Sequence, residues 1–194
     1  MYGVDMSIKT IEEFMDIDID YYVKVNFSTL VQVVDIIGGI DVYSDASFRS
    51  WTDNSVYIQK GNIHMNGKMA IAFARERHAY LEGDRHRVQN QQDVLEAIIK
   101  KVSTSTVLLT KYTTFLEQLS SSFETNIKTE DITQLIKLQI NKMPSWNISK
   151  YSLNGTDSSG YTYSFGKQNL YVMEPQVDTV IEAKNKIDLL KEQK

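Results

Sequence analysis

Residues 19–43 read Ile19-Asp20-Tyr21-Tyr22-Val23-Lys24-Val25-Asn26-Phe27-Ser28-Thr29-Leu30-Val31-Gln32-Val33-Val34-Asp35-Ile36-Ile37-Gly38-Gly39-Ile40-Asp41-Val42-Tyr43. Ile19 to Asn26 is dense in β-branched and aromatic residues, which suit a pleated strand. From Phe27, the apolar residues Leu30, Val31, Val33, Val34 and Ile37 recur at helical spacing, and Gly38-Gly39 stands where a left-handed C-cap is wanted. Ile40 to Tyr43 resumes as strand. A strand–helix–strand run punctuated by glycine predicts an α/β (α+β) fold, a three-layer α-β-α sandwich around a mixed β-sheet.

On either side the pattern is consistent with that layering. Ser7 to Asp16 predicts a short helix capped by Ser7, with Ile8, Ile11, Phe14 and Met15 on one face. Ser44 to Asn54 is polar and irregular. Val56-Tyr57-Ile58 and Ile63-His64-Met65 flank a turn and predict a hairpin or a strand with a tight turn. Asn66 can cap a short helix through Met69-Ala70-Ile71-Ala72. Ser103 to Phe123 includes an amphipathic helix bearing Val107, Leu108, Tyr112, Phe115, Leu116 and Leu119. Thr129, followed by Glu130 and Asp131 in a first turn, starts another that stops before Pro144. Trp146 to Leu153, Tyr161 to Tyr163 and Gln168 to Met173 read as late strands on the same sheet, separated by a Gly/Ser/Asp loop from Asn154 to Gly160. Pro175 is expected in the first turn of a final helix, whose lysine-rich end from Lys184 reads as a solvated face. The 194 residues are expected to form a single domain, with no internal repeat.

Composition excludes several chemistries. Cysteine is absent, which removes thiolate nucleophiles, cysteine-held metals and disulfides. The net charge is -4, against the broad basic face that nucleic-acid binding needs. Positive charge is concentrated locally instead. Beside Arg49, every arginine (Arg75, Arg77, Arg85, Arg87) falls within residues 74–92, together with His78 and His86. Forked guanidinium donors match phosphate or carboxylate oxygens, so the cluster is either an oxyanion site or a salt-bridged solvated loop neutralised by Glu76, Glu82 and Asp84.

Spacing separates the members. With Phe73 to Arg77 extended, Arg75 and Arg77 project to one side. Gly83-Asp84 makes a turn and N-cap for a helix from about Arg85 to Val102, with Asp84 a cap or an arginine partner. On that helix Arg87 and Gln91 lie four apart on a stripe continuing through Val94, Leu95, Ile98 and Val102. The stripe is polar at its N-terminal end and apolar beyond, placing the cluster at the mouth of a cleft, and the helix N-terminus adds amides favourable to phosphate. Arg85 falls on neither face. His64 reads as structural. His78 and His86 are either proton shuttles or exposed bystanders, and the spacing of Glu76, Glu82 and Asp84 matches no compact metal motif.

The set Val33 to Val42 (with Gly38-Gly39), Asn66-Gly67 with Ala70, Ala74-Arg75-Glu76-Arg77, Gly83-Asp84, Arg87 and Gln91-Gln92 resembles the LytR-CpsA-Psr family. Tyr2-Gly3-Val4 and Ile19 to Phe27 fit it too, the likeness being clearest over residues 1–103. The resemblance implies an extracytoplasmic, membrane-anchored phosphotransferase of Gram-positive cell envelopes. Such a protein moves a polyprenyl-pyrophosphate-linked glycopolymer, capsular polysaccharide or wall teichoic acid, onto peptidoglycan, with magnesium as cofactor. It assigns Arg75, Arg77, Arg87 and Gln91 as the catalytic pyrophosphate contacts, with Gln92 beside them in substrate binding. Where the family often carries an arginine before the paired glutamines, this chain has Asn90. The family domain also begins well before Met1, and its magnesium-binding acids lie there. The chain is therefore expected to be the C-terminal portion of such a domain, with no metal ligands of its own and its membrane anchor elsewhere. The alternative implied is a non-catalytic module binding a polyprenyl-phosphate-linked polymer or an anionic partner.

Overall fold

The computed structural model describes residues 3–111, 113, 114, 117, 123–162 and 164–192. The chain divides into two compact units, residues 21–148 and residues 1–20 with 149–194. The α/β class holds throughout. Among the described residues the strands pair as four separate two-stranded ladders, all antiparallel.

The larger unit begins with β1 (Val23–Val25), shorter than the apolar run of residues 19–26 suggests. Asn26 ends it by capping α2 (Phe27–Ile36), its side chain accepting from the Thr29 amide at 2.8 Å. Gly38 and Gly39, at φ 79° and 84°, turn the chain as expected. A side chain at Gly39 would also collide with the His64 ring. β2 (Ile40–Ser44) follows with strict alternation, Ile40, Val42 and Ser44 inward. Next come β3 (Phe48–Arg49), β4 (Tyr57–Ile58) and β5 (Gly61–Met65). Of the two arrangements expected here the hairpin is not formed: a tight turn joins the last two, but β4 pairs with β3 and β5 with β2. Each partner supplies an inward apolar residue opposite another, Phe48 to Ile58 and Ile40 to Met65, which a β4–β5 pairing would have separated. His64 sits opposite Asp41, its Nδ1 2.8 Å from Oδ1, a structural role as expected.

Asn66 caps α3 (Gly67–Arg75), accepting from the Met69 amide at 2.9 Å. Then come α4 (Asp84–Thr104), α5 (Thr106–Thr110), β6 (Phe123–Thr125) and α6 (Thr129–Lys142). α6 carries Glu130 and Asp131 in its first turn and ends at Met143 in the left-handed region, φ 40°. Of the apolar residues expected on a helix after Ser103, the backbone of Val107 and Leu108 lies in α5, and Tyr112, Phe115, Leu116 and Leu119 fall outside the described residues. The core gathers Val34, Ile40, Ile58, Met65, Ala70, Phe73 and Val94, each at most 2% exposed, so it is built between α2, α3, α4 and the short ladders.

In the smaller unit the first helix, α1, runs over Val4–Met15 and starts earlier than Ser7; the Ser7 hydroxyl bonds back to the Gly3 carbonyl rather than capping. The expected strand at Trp146 to Leu153 is irregular, whereas the expected loop at 154–160 is β7 (Gly155–Tyr161). Among the described residues β7 pairs only with β8 (Asn169–Pro175), so there these strands do not continue a common sheet. Pro175 ends β8, where its missing amide costs nothing at a strand terminus, and α7 (Val177–Glu192) starts after it. Lys184 is bonded to Asp16 and so is not merely solvated. Among the described residues no helix is long and apolar enough to cross a membrane.

A close backbone approach lies between α2 and α3. A Cβ on Gly67 would stand 2.3 Å from the Val31 carbonyl oxygen, and the Gly67 amide donates to Asp35 Oδ1 at 2.7 Å. Gly67→Ala must push backbone against backbone, and its expected cost is about 1–3 kcal/mol or more. Urea denaturation of the variant and the wild type measures it; an unchanged midpoint would show that α2 and α3 separate freely.

Candidate functional site: an arginine-bearing loop between two helices

The local sequence explains how the loop is made. Ala70-Ile71-Ala72-Phe73-Ala74 are good helix formers following a capped start, and Ala70, Ala72, Phe73 and Ala74 are buried. The helix therefore continues through Arg75, and the extended reading of residues 73–77 is not realised. Arg75 is the last residue of α3, and Arg77 lies in the following loop, so the period-two pairing of their side chains does not apply. Arg75 instead places its guanidinium carbon 4.5 Å over the Phe27 ring at the start of α2, a cation–π contact. Arg77 Nε donates to His78 Nε2 at 3.3 Å.

Glu76 terminates α3 and is only 2% exposed. Its Oε1 accepts from the amides of Arg77 (3.1 Å), His78 (2.7 Å) and Ala79 (3.2 Å), and its Oε2 from the amide of Trp51 (3.1 Å). A buried carboxylate is costly unless donors replace its hydration, and unpaired amides in an irregular loop carry the complementary need. One side chain thus shapes the loop holding Arg77 and ties it to the segment after β3. That segment is braced again at Asp53. The Ser55 hydroxyl and amide donate to its Oδ1 (2.6 and 3.0 Å), and Lys68 approaches Oδ2 at 3.1 Å. These hold the Asp53 carboxyl at about 2, the Ser55 hydroxyl contributing most.

Beyond the loop, Tyr80 stacks on His86 at 3.5 Å and meets Phe48 edge-on at 5.8 Å; Phe48 stacks with Phe73 at 6.4 Å. His86 lies 3.4 Å from Asp45 through Nε2, with its side chain 13% exposed, so it is a packed member of an aromatic column and no bystander. Burial raises the Tyr80 phenol, with the neighbouring Asn90 and Ser44 side chains opposing the shift. His78 lies against Trp51, ring centroids 4.7 Å apart.

α4 starts one residue before Arg85. Gly83, at φ 51°, is its N-cap, and Asp84 serves as the arginine partner, 2.8 Å from Arg87 Nη2. Arg87 Nε is buried and has no hydrogen-bond partner among the described residues. The buried stripe of α4 runs through Asn90 (1% exposed) and Val94 (2%), flanked by Ala97, Ile98 and Val102. Gln91 is exposed and Leu95 is 57% exposed, so Gln91 is one position off the expected face; Gln92 is half-buried and Arg85 exposed. The residue the spacing argument passed over is Asn90, whose Nδ2 donates to the Phe73 carbonyl at 3.1 Å. That carbonyl lies in the last turn of α3 and also accepts from the Glu76 amide at 3.2 Å. Asn90 is three residues after Arg87 and four before Val94, so a count at i+3 as well as i+4 finds it.

The geometry thus brings Arg75, Arg77 and Arg87 onto consecutive pieces of one α3–loop–α4 unit, each differently anchored. Among the described residues no three acidic or imidazole side chains converge on one point.

By class this is an α/β fold whose arginines are spread over two packed helices and the loop between them. The model of the LytR_cpsA_psr family matches residues 1–185, and the chain belongs to that family. It is 39% identical over 135 residues to the polyisoprenyl-teichoic acid–peptidoglycan teichoic acid transferase TagU of Bacillus cereus (strain AH820), covering 70% of this chain and 43% of that one. It is 35% identical over 179 residues to TagV of Bacillus subtilis (strain 168), covering 89% and 44%. The chain therefore spans less than half the length of these curated relatives. Among solved structures, B. subtilis TagV superposes with a TM-score of 0.77 at 31% identity over 95% of this chain and 68% of that one. TagT bound to LIIa-WTA gives 0.76 at 25% identity over 95% and 66%.

Two measurements probe the loop. Glu76→Ala leaves buried amides without an acceptor and is expected to cost about 3 kcal/mol or more in urea denaturation, with faster amide exchange at Trp51 and His78; unchanged exchange would remove the carboxylate from its organising role. Asp53 has a folded pKa below its ordinary 3.8, so its contribution to stability is complete above that value and is lost as pH falls from about 4 through about 2. Ser55→Ala should bring the Asp53 carboxyl back toward 3.8 in an NMR titration.

Proposed function

We propose that the chain carries the phosphate-binding part of a transferase that moves a polyprenyl-pyrophosphate-linked glycopolymer onto peptidoglycan in the cell envelope. Wall teichoic acid is the polymer favoured by the names of TagU, TagV and the TagT complex, ahead of capsular polysaccharide. The observation that carries the reading is Arg87: a guanidinium at the N-terminal turn of a long helix, its side chain 34% exposed and one nitrogen, Nη2, paired with an exposed carboxylate of Asp84. Such a group has donor capacity to spare for an oxyanion, where the helix dipole adds to it.

In this reading Arg75, Arg77 and Arg87 hold the pyrophosphate, with Gln91 and Gln92 as polar contacts on the following turn. An acceptor hydroxyl of peptidoglycan forms a new O–P bond to the glycopolymer-side phosphorus, the bridging P–O bond breaks, and the polyprenyl phosphate departs with the charge. Preplaced guanidinium groups stabilise that developing charge without reorganising. The hydroxyl proton leaves to a base that this reading does not assign. Magnesium belongs to the reading as a helper held by residues outside those described, and no step above depends on it. The membrane anchor likewise comes from the family resemblance.

Binding of a polyprenyl pyrophosphate to the protein and to its Arg75→Ala and Arg87→Ala variants tests this. Each deletion is expected to cost about 1.5–3 kcal/mol, roughly 10- to 150-fold in Kd. Equal affinity across the three would overturn the assignment.

A further inference from the structure

Trp51 is 74% exposed, and a single exposed aromatic needs no explanation by itself. What distinguishes this one is how it is held and what it stands beside. Its amide donates to Glu76, the carboxylate that also fixes the amides of Arg77, His78 and Ala79. Its ring rests on the His78 ring with the planes 37° apart, and His78 Nε2 accepts from Arg77 Nε. On the other side, the Asp53–Ser55–Lys68 network secures the segment two residues on. An indole can contact His78 with one face only, and at this exposure the other is open. A rigid, open aromatic face therefore stands next to an arginine on the same carboxylate-built scaffold.

We propose that the open face of Trp51 is a pyranose-stacking subsite beside the phosphate site. The inference rests on the function proposed above and names the sugar-recognising element of that site. A pyranose presents a face of C–H bonds whose positive edges suit the negative face of an indole, while its hydroxyl rim stays in water. A flat ring with few torsions, already pinned, loses little entropy on binding. A sugar joined through a phosphate to a group held at Arg77 would be delivered to this face. The pyranose comes from one of two sources, the donor's pyrophosphate-linked sugar or a sugar of the acceptor glycan.

The side chain can be changed while its backbone amide still serves Glu76, and the sugar-free lipid reports any effect passed through His78 to Arg77. Calorimetric titration compares wild type, Trp51→Ala and Trp51→Tyr against three probes: a short polyprenyl pyrophosphate, the same lipid carrying N-acetylglucosamine, and a soluble glycan-strand fragment of peptidoglycan. The expected result is a loss of roughly three- to tenfold by Trp51→Ala for the sugar-bearing lipid alone, the size of one aromatic contact, with recovery in Trp51→Tyr. A loss confined to the glycan fragment assigns the same subsite to the acceptor sugar. If wild type binds neither lipid but binds the fragment in a Trp51-dependent way, the subsite stands and the pyrophosphate reading falls. The subsite is overturned if Trp51→Ala matches wild type on all probes, if it weakens the sugar-free lipid equally, or if wild type binds no sugar-bearing probe.

Discussion

The Glu76 carboxylate, taking four backbone amides in a site almost closed to water, is the interaction on which the rest of the arginine region depends. Neither side of it is stable alone: the charge needs donors to replace its hydration, and the amides of an irregular loop need an acceptor. Joined, they stop α3, set the path of residues 77–79 and anchor the chain after β3. Charge-assisted bonds of this kind are about twice as strong as neutral ones, so four on one carboxylate define a conformation and leave little room for a second. An acid surrounded in sequence by arginines reads as their counter-charge. In the folded chain its charge is met by the backbone, and the guanidinium groups face other partners.

Two close approaches keep the supporting helices in register. Gly67 lets α3 lie directly on the backbone of Val31 in α2, a contact that excludes any Cβ. Asn90 joins α4 to the final turn of α3 through the Phe73 carbonyl, so a polar side chain at 1% exposure takes the second lone pair of an acceptor that the Glu76 amide also uses. Asn90 occupies the position where the family often has arginine. Here it supplies a neutral amide that bonds a carbonyl in a dry interface, where a guanidinium would need a counter-charge.

Elements with local causes were legible in the sequence. The Asn66 cap, the left-handed glycines after α2, the start of α4 near Gly83-Asp84 and the acid-led start of α6 each depend on residues within one turn. Elements with distant causes were not. β7 is composed of Gly, Thr, Asp, Ser and Tyr, the vocabulary of a loop, and is a strand because β8 lies opposite along seven pairs. The hairpin expected at 56–65 gave way to pairings with β2 and β3, chosen by which apolar residues face each other. Within the site, the arginine cluster was visible but its geometry was not. Five residues with two arginines at alternate positions fit a strand only if the alanines around them do not continue a capped helix, and they do. Counting i+4 from Arg87 reaches Gln91, whereas the buried position is Asn90 at i+3, held by a carbonyl seventeen residues away.

The three arginines are held in different ways, and on the proposed reading that difference has a consequence. Arg75 leans on an aromatic face and Arg77 on an imidazole, contacts that steer a guanidinium without neutralising it. Arg87 is the exception, paired with Asp84 at 2.8 Å while its Nε is enclosed. The Asp84 side chain is 54% exposed, and an ion pair open to solvent contributes roughly 0–1 kcal/mol. Asp84 therefore holds the fork in place at little cost to its release. An arriving phosphate brings more charge and more acceptors than one carboxylate, so exchange of partners at Nη2 runs in its favour, and the guanidinium need not be recruited from water.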